Sequence, residues 1–145
     1  MRILVLFIIL YIAAGAGLAQ APPAEAPAIK SVGTMKELML YIIYPKSDEI
    51  FYVDRKEKKS EADWSDLRND ALMLAEAANL LMAGNRARDK DQWMRDAKLL
   101  WDAGNKAFIA AKEKDLPALE ALNADLYEAC QSCHVHYRPG YRRRP

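Results

Sequence analysis

Trp64-Ser65-Asp66-Leu67-Arg68-Asn69-Asp70-Ala71-Leu72-Met73-Leu74-Ala75-Glu76-Ala77-Ala78-Asn79-Leu80-Leu81-Met82 is the stretch that decides the fold. Trp64, Leu67, Ala71, Leu74, Ala75, Ala78, Leu81 and Met82 recur at spacings dominated by three and four, which on a helix gathers them into one apolar stripe. Ser60 and Asp63 are suited to capping its start, and Gly84-Asn85 supplies residues that tolerate the left-handed backbone of a helix end. This predicts a long amphipathic helix that needs apolar partners.

The neighbouring segments supply them. Val32, Met35, Leu38, Met39, Ile42 and Ile43 form a stripe before it, and Ile50 and Val53 continue that stripe beyond Pro45. Proline lacks an N–H and crowds the preceding turn, so a kink at Pro45 is expected rather than a full break. Trp93, Ala97, Leu100, Trp101, Gly104, Phe108 and Ala111 make a third stripe. Asp115 caps a fourth helix with Pro117 in its first turn, and Leu119, Leu122 and Leu126 begin its buried face. Strand-like alternation is nearly absent, so the expected fold class is all-α, an antiparallel four-helix bundle spanning residues 31–145. Alternating Ala and large residues suit close helix approach, and the Trp and Met residues on the stripes read first as core.

Ahead of this domain, Met1-Arg2 begins a short positive start, Ile3 to Ile12 is continuously apolar, and Ala13 to Ala19 is rich in small residues. Residues 1–19 are therefore expected to be a signal peptide cut after Ala19, because a cut after Ala21 would place Pro22 next to the scissile bond. A retained anchor is the alternative, but the apolar run is shorter than the roughly 20 residues of a spanning helix. No cysteine follows the run to accept a lipid. Residues 20–30 are an Ala/Pro-rich linker, as in Ala21-Pro22-Pro23-Ala24-Glu25-Ala26-Pro27-Ala28. Across the 145 residues, 21 Lys and Arg nearly balance 20 Asp and Glu, so no one-sided field argues for nucleic acid as a partner.

The chemistry is concentrated in Cys130-Gln131-Ser132-Cys133-His134. C-x-x-C-H is the pattern of covalent c-type haem attachment: two thiols meet the two vinyl groups, and the adjoining histidine binds iron. On a helix Cys130, Cys133 and His134 fall within an arc of about 100° and face one cavity. A disulfide between the cysteines would close a very small loop and constrain little. A thioredoxin-like pair belongs beside a βαβ pattern, which is missing here. A structural zinc site would need further Cys or His ligands, and the chain has only these two cysteines and two histidines. His136, two residues past His134, points about 200° away and is expected to be a surface residue. The cofactor expected is one haem c on the C-terminal helix, with its iron.

With this motif on the last of four helices, the sequence resembles the cytochrome c-prime family and its low-spin, methionine-ligated relatives. The stretches that carry the resemblance are Cys130-Gln131-Ser132-Cys133-His134-Val135-His136-Tyr137-Arg138, similar to the family's C-x-x-C-H-x-x-Tyr/Phe-Arg ending, and Met35-Lys36-Glu37-Leu38-Met39. It covers residues 31–138 in architecture, and only the C-terminal motif is specific. The resemblance implies that His134 is the proximal iron ligand and that Arg138 lies beside the proximal face, although a solvated helix-end cation would read the same way in sequence. Pro45 departs from the family's uninterrupted first helix.

A sixth iron ligand would come from the first helix, which offers Met39, with Met35 as the alternative distal ligand nearer the helix start. Iron held by His and Met suits electron transfer. The function expected is thus a non-enzymatic, periplasmic one-electron carrier. Its partners would be redox proteins of the periplasm or inner membrane, with membrane attachment only if the signal is retained, and exposed parts of the stripes leave room for a homodimer. The competing expectation is a five-coordinate haem that binds nitric oxide or carbon monoxide. A peroxidase-like enzyme ranks below both, because the first helix shows no distal His and Arg pair. Tyr141-Arg142-Arg143-Arg144 is a basic tail that reads as solvated, or as a docking element for an acidic redox partner.

Overall fold

A computed structural model describes residues 29–55, 59–138 and 140–141. The expected signal peptide, most of the Ala/Pro-rich linker and Arg142 to Arg144 lie outside the described residues. Within them the chain is helical and contains no strand. The helices are α1 (Met35–Leu38), α2 (Tyr44–Phe51), α3 (Glu61–Met82), α4 (Gln92–Glu113), α5 (Leu116–Ala121) and α6 (Asn123–Tyr137). A π turn, Met39–Ile43, joins α1 to α2 without interrupting the helical path. None of the described helices is long and apolar enough to cross a membrane.

Side-chain pairs fix the helix directions. Trp93 Nε1 at the start of α4 donates to Leu81 O at the end of α3 over 2.8 Å, while Lys114 just beyond α4 pairs with Glu61 at the start of α3 over 2.6 Å. These two helices therefore run antiparallel along their length. Lys106 with Asp125 at 2.7 Å, and Asp96 with Ser132 at 2.6 Å, set α6 antiparallel to α4. Arg86, past the end of α3, donates to Gly33 O before α1, and Lys46 on α2 pairs with Asp70 on α3. The result is an up-down-up-down bundle in which α1–α2, α3, α4 and α5–α6 take the four corners. Of the neighbouring corner pairs, α2 and α6 touch least.

The core is built from the anticipated stripes. Leu67, Ala71, Leu74, Ala78 and Leu81 of α3 meet Trp93, Ala97, Leu100, Ala107 and Ala111 of α4, with Leu119 and Leu126 from the last corner. Ser60 and Asp63 form a reciprocal capping box at the start of α3, and Gly84 adopts φ +58° where that helix has ended. Asp115 accepts the Ala118 N–H as N-cap of α5.

Two expectations need correcting. Val32 lies outside the first helix and is fully exposed, because Thr34 caps the chain there through a box with Glu37. That T-x-x-E pattern was readable in the sequence. The fourth helix is two pieces: at Leu122 ψ opens to −8° and its N–H reaches back three residues to Leu119 O, a tightened turn that separates α5 from α6. At Pro45, as expected, the helix does not break. The turn before it widens so that Tyr44 N–H bonds to Met39 O, five residues back, and Ile50 and Val53 continue into the core.

Candidate functional site

The loose seam between the first and last corners opens into a cleft of about 590 Å³. From α6 it receives Cys130, Cys133, His134 and Tyr137, with Arg138 just beyond the helix end. Met35, Met39, Ile43 and Ser47 face them from the first corner, and Trp93 of α4 forms part of the lining. Every residue singled out in sequence as a haem or iron contact thus lines one cavity, and its size falls in the range of roughly 300–1,000 Å³ typical of cofactor sites.

Local structure explains how each side chain comes to be there. Leu126, Ala129 and Gln131 turn the other sides of α6 into the bundle, which leaves Cys130, Cys133 and His134 on the seam. Both cysteines are free thiols and half-buried. Burial pushes the Cys130 thiol up, and burial, the Asp96 carboxylate and the neighbouring Cys130 push Cys133 up to about 11. His134 shifts the other way: burial, then the nearby Arg138 guanidinium, disfavours its cation, so the imidazole is held neutral. A neutral imidazole is the form that can bind a metal. Among the described residues, no group of three or more His, Cys, Asp or Glu is arranged to hold a metal ion by itself.

Met35 and Met39 enter from differently built backbone. Met35 is the first residue after the Thr34 cap, where Glu37 accepts both the Thr34 N–H and its hydroxyl. The helix start is therefore pinned, so Met35 is held by a capped turn although it lies near the helix start. Met39 opens the π turn, whose extra residue per turn rotates the side chains that follow. Both methionines are partly buried against the core.

Among the lining cations, Lys36 and Arg88 carry no sequence signal of their own, unlike Arg138. Lys36, Arg88 and Arg138 bring positive charge to an otherwise largely apolar cleft. Tyr137 packs edge-on against Trp93 with ring centroids 4.9 Å apart and donates its hydroxyl to Asp89. Burial and that carboxylate push the phenol up to about 12, so it stays protonated. Arg138 leaves the helix in extended backbone, as the residue before a proline tends to, and its guanidinium lies 5.7 Å from the Tyr141 ring centre. His136 points away from the cleft as its register requires, yet it is not an isolated surface residue: Nδ1 is 3.0 Å from the buried Asp96. Asp96 was detectable, since it falls between Trp93 and Leu100 on the apolar stripe.

The thiol shifts give a direct prediction for the haem-free chain. Only the thiolate alkylates, so Cys133 at about 11 should react slowly with iodoacetamide at about pH 8. The rate should rise about tenfold per pH unit toward its pKa, and urea at fixed pH should accelerate it by exposing the thiol. A rate already equal to that of the unfolded chain at about pH 8 would show that the cysteines do not sit in the cleft as described.

Comparison of the chain with protein-family models, with curated proteins and with solved structures gives no match.

Proposed function

We propose that the chain is an exported c-type cytochrome of cytochrome c-prime type that carries single electrons between redox proteins of the periplasm or inner membrane. Cys130 and Cys133 would hold one haem covalently, His134 would be the proximal iron ligand and Met39 the distal one. The observation that carries this reading is the convergence of two thiols, a neutral imidazole and two thioethers on one apolar cleft between the first and last helices.

The residues fit the group. Two protonated thiols and an imidazole at i, i+3 and i+4 present the donor set that haem c requires, and the apolar walls suit a flat, apolar ring. Lys36, Arg88 and Arg138 would neutralise the ring's carboxylate side groups. When bound, the haem supplies one-electron exchange between ferric and ferrous iron. The chain's own contribution is to orient the ligands, exclude bulk water with Trp93, Ile43 and the methionines, and keep the proximal imidazole uncharged. With both Met39 and His134 given to iron, the group would serve electron transfer rather than ligand binding or catalysis.

The visible absorption spectrum of the purified protein, oxidised and reduced, tests this reading. A low-spin spectrum in both states, unchanged by carbon monoxide, is expected. A high-spin spectrum that responds readily to carbon monoxide would replace the carrier with the gas-binding function.

A further inference from the structure

Asp96 is 1% exposed and lies in the middle of the apolar face of α4. A carboxylate this deep is costly unless it is paired and hydrogen-bonded. Here Oδ1 accepts from Ser132 Oγ at 2.6 Å and from Gln92 Nε2 at 2.9 Å, and Oδ2 faces His136 Nδ1 at 3.0 Å. All three partners can donate, which suits an acceptor-only carboxylate. Ser132 and His136 are one turn apart on α6 and bracket Cys133 and His134. The carboxylate therefore grips the back of the very turn whose front carries the motif. Both anchor points flank Cys133 and His134 on α6, so the carboxylate sits directly behind the motif.

Building on the cytochrome reading above, we propose that Asp96 is a positioning residue for the haem. Its bonds to Ser132 and His136 fix the rotation of α6 that turns Cys130, Cys133 and His134 into the cleft, and its buried negative charge holds the reduction potential down. A negative charge in a poorly screened interior favours ferric over ferrous iron, which carries one positive charge fewer. The protein thereby offsets part of the rise in potential that a methionine ligand brings.

The test compares the full chain, matured with its haem, as wild type, Asp96→Asn and Ser132→Ala. Covalent haem is verified first by mass after denaturation, and the potential is then titrated through the visible spectrum. Asparagine keeps the size of the side chain and removes its charge. The expected result for Asp96→Asn is a shift of the redox equilibrium toward the reduced form by about tenfold, or about 59 mV upward for one electron. Ser132→Ala loses one bond of the same clamp and keeps the charge, so its potential should not rise. An unmoved potential in Asp96→Asn, or an equal rise in Ser132→Ala, would overturn the proposal and leave a purely structural clamp. If Asp96→Asn does not accumulate, the double variant Gln92→Ala with Ser132→Ala decides. Stripping two donors leaves the charge less compensated, so the potential should fall, and a rise or no change would overturn the idea. A wild-type chain without covalent haem would defeat the cytochrome reading and this proposal together. Haem present with the potential unmoved defeats this proposal alone.

Discussion

Met39→Ala should convert a low-spin protein into a high-spin one that binds carbon monoxide, while Met35→Ala should leave the spectrum low-spin. Both thioethers line the cleft opposite α6, so proximity does not separate them. Nor does order at the helix start, since the Thr34–Glu37 capping box pins the turn that carries Met35. Backbone geometry does separate them. Met39 begins the π turn, and such wide turns inside helices concentrate at functional sites because they re-aim a side chain without ending the helix. Pro45, which cannot donate a backbone hydrogen bond, gives this turn a local cause, with Tyr44 N–H reaching back to Met39 O. Met39 lies in the cleft wall with Ile43 and is partly buried against the core. Under the proposed ligation, truncating it would free an iron position for carbon monoxide. A low-spin Met39→Ala together with a high-spin Met35→Ala would reverse the assignment.

Gly104→Ala should destabilise the bundle by about 1–3 kcal/mol, against the gain of up to about 1 kcal/mol that alanine brings over glycine inside a helix. A Cβ at Gly104 would meet Ala75 N at 2.8 Å, Ala75 Cα at 2.9 Å and Ala75 Cβ at 3.1 Å. Two of these atoms are backbone, so no side chain can swing aside, and α3 must move away from α4. Those helices share the most extensive interface of the bundle, lined on both sides by alanines such as Ala71, Ala78, Ala97 and Ala107. Separating them loosens many contacts at once. In guanidinium unfolding of the haem-free chain followed by far-UV circular dichroism, the midpoint should drop with the slope unchanged. A midpoint equal to or above wild type would mean that the interface yields easily and that helix propensity dominates.

Gly104 stood in the third stripe among large apolar residues and could be read as a core position, but its contact with Ala75 depends on the relative shift of two helices. Periodicity fixes which face is buried and leaves that register open. The motif at Cys130, Cys133 and His134 was legible because three and four residue spacings on a helix have only one geometric outcome. Met35 and Met39 were legible as candidates for the same reason. The π turn was not, since widening a turn by one residue trades one set of backbone hydrogen bonds for another with little change in composition. Val32 was misplaced because the apolar pattern outran the Thr34 cap. The tightened turn at Leu122 has no proline or glycine to announce it in the sequence. Asp96 shows a third kind of gap: a carboxylate on an apolar stripe is visible in sequence, while its partners on α6, Ser132 and His136, become apparent only when the helices are side by side.

Covalent attachment of a haem to Cys130 and Cys133 is read from the intact mass of the denatured protein. The chain should be produced in a host that matures c-type cytochromes, unfolded, washed with acidic acetone to strip any loosely held haem, and treated with an alkylating agent before weighing. The predicted result is a single species with the mass of the polypeptide from Gln20 plus one haem, and no alkylated cysteine. A bare polypeptide that takes up two alkyl groups, or one whose cysteines are joined as a disulfide, would contradict it.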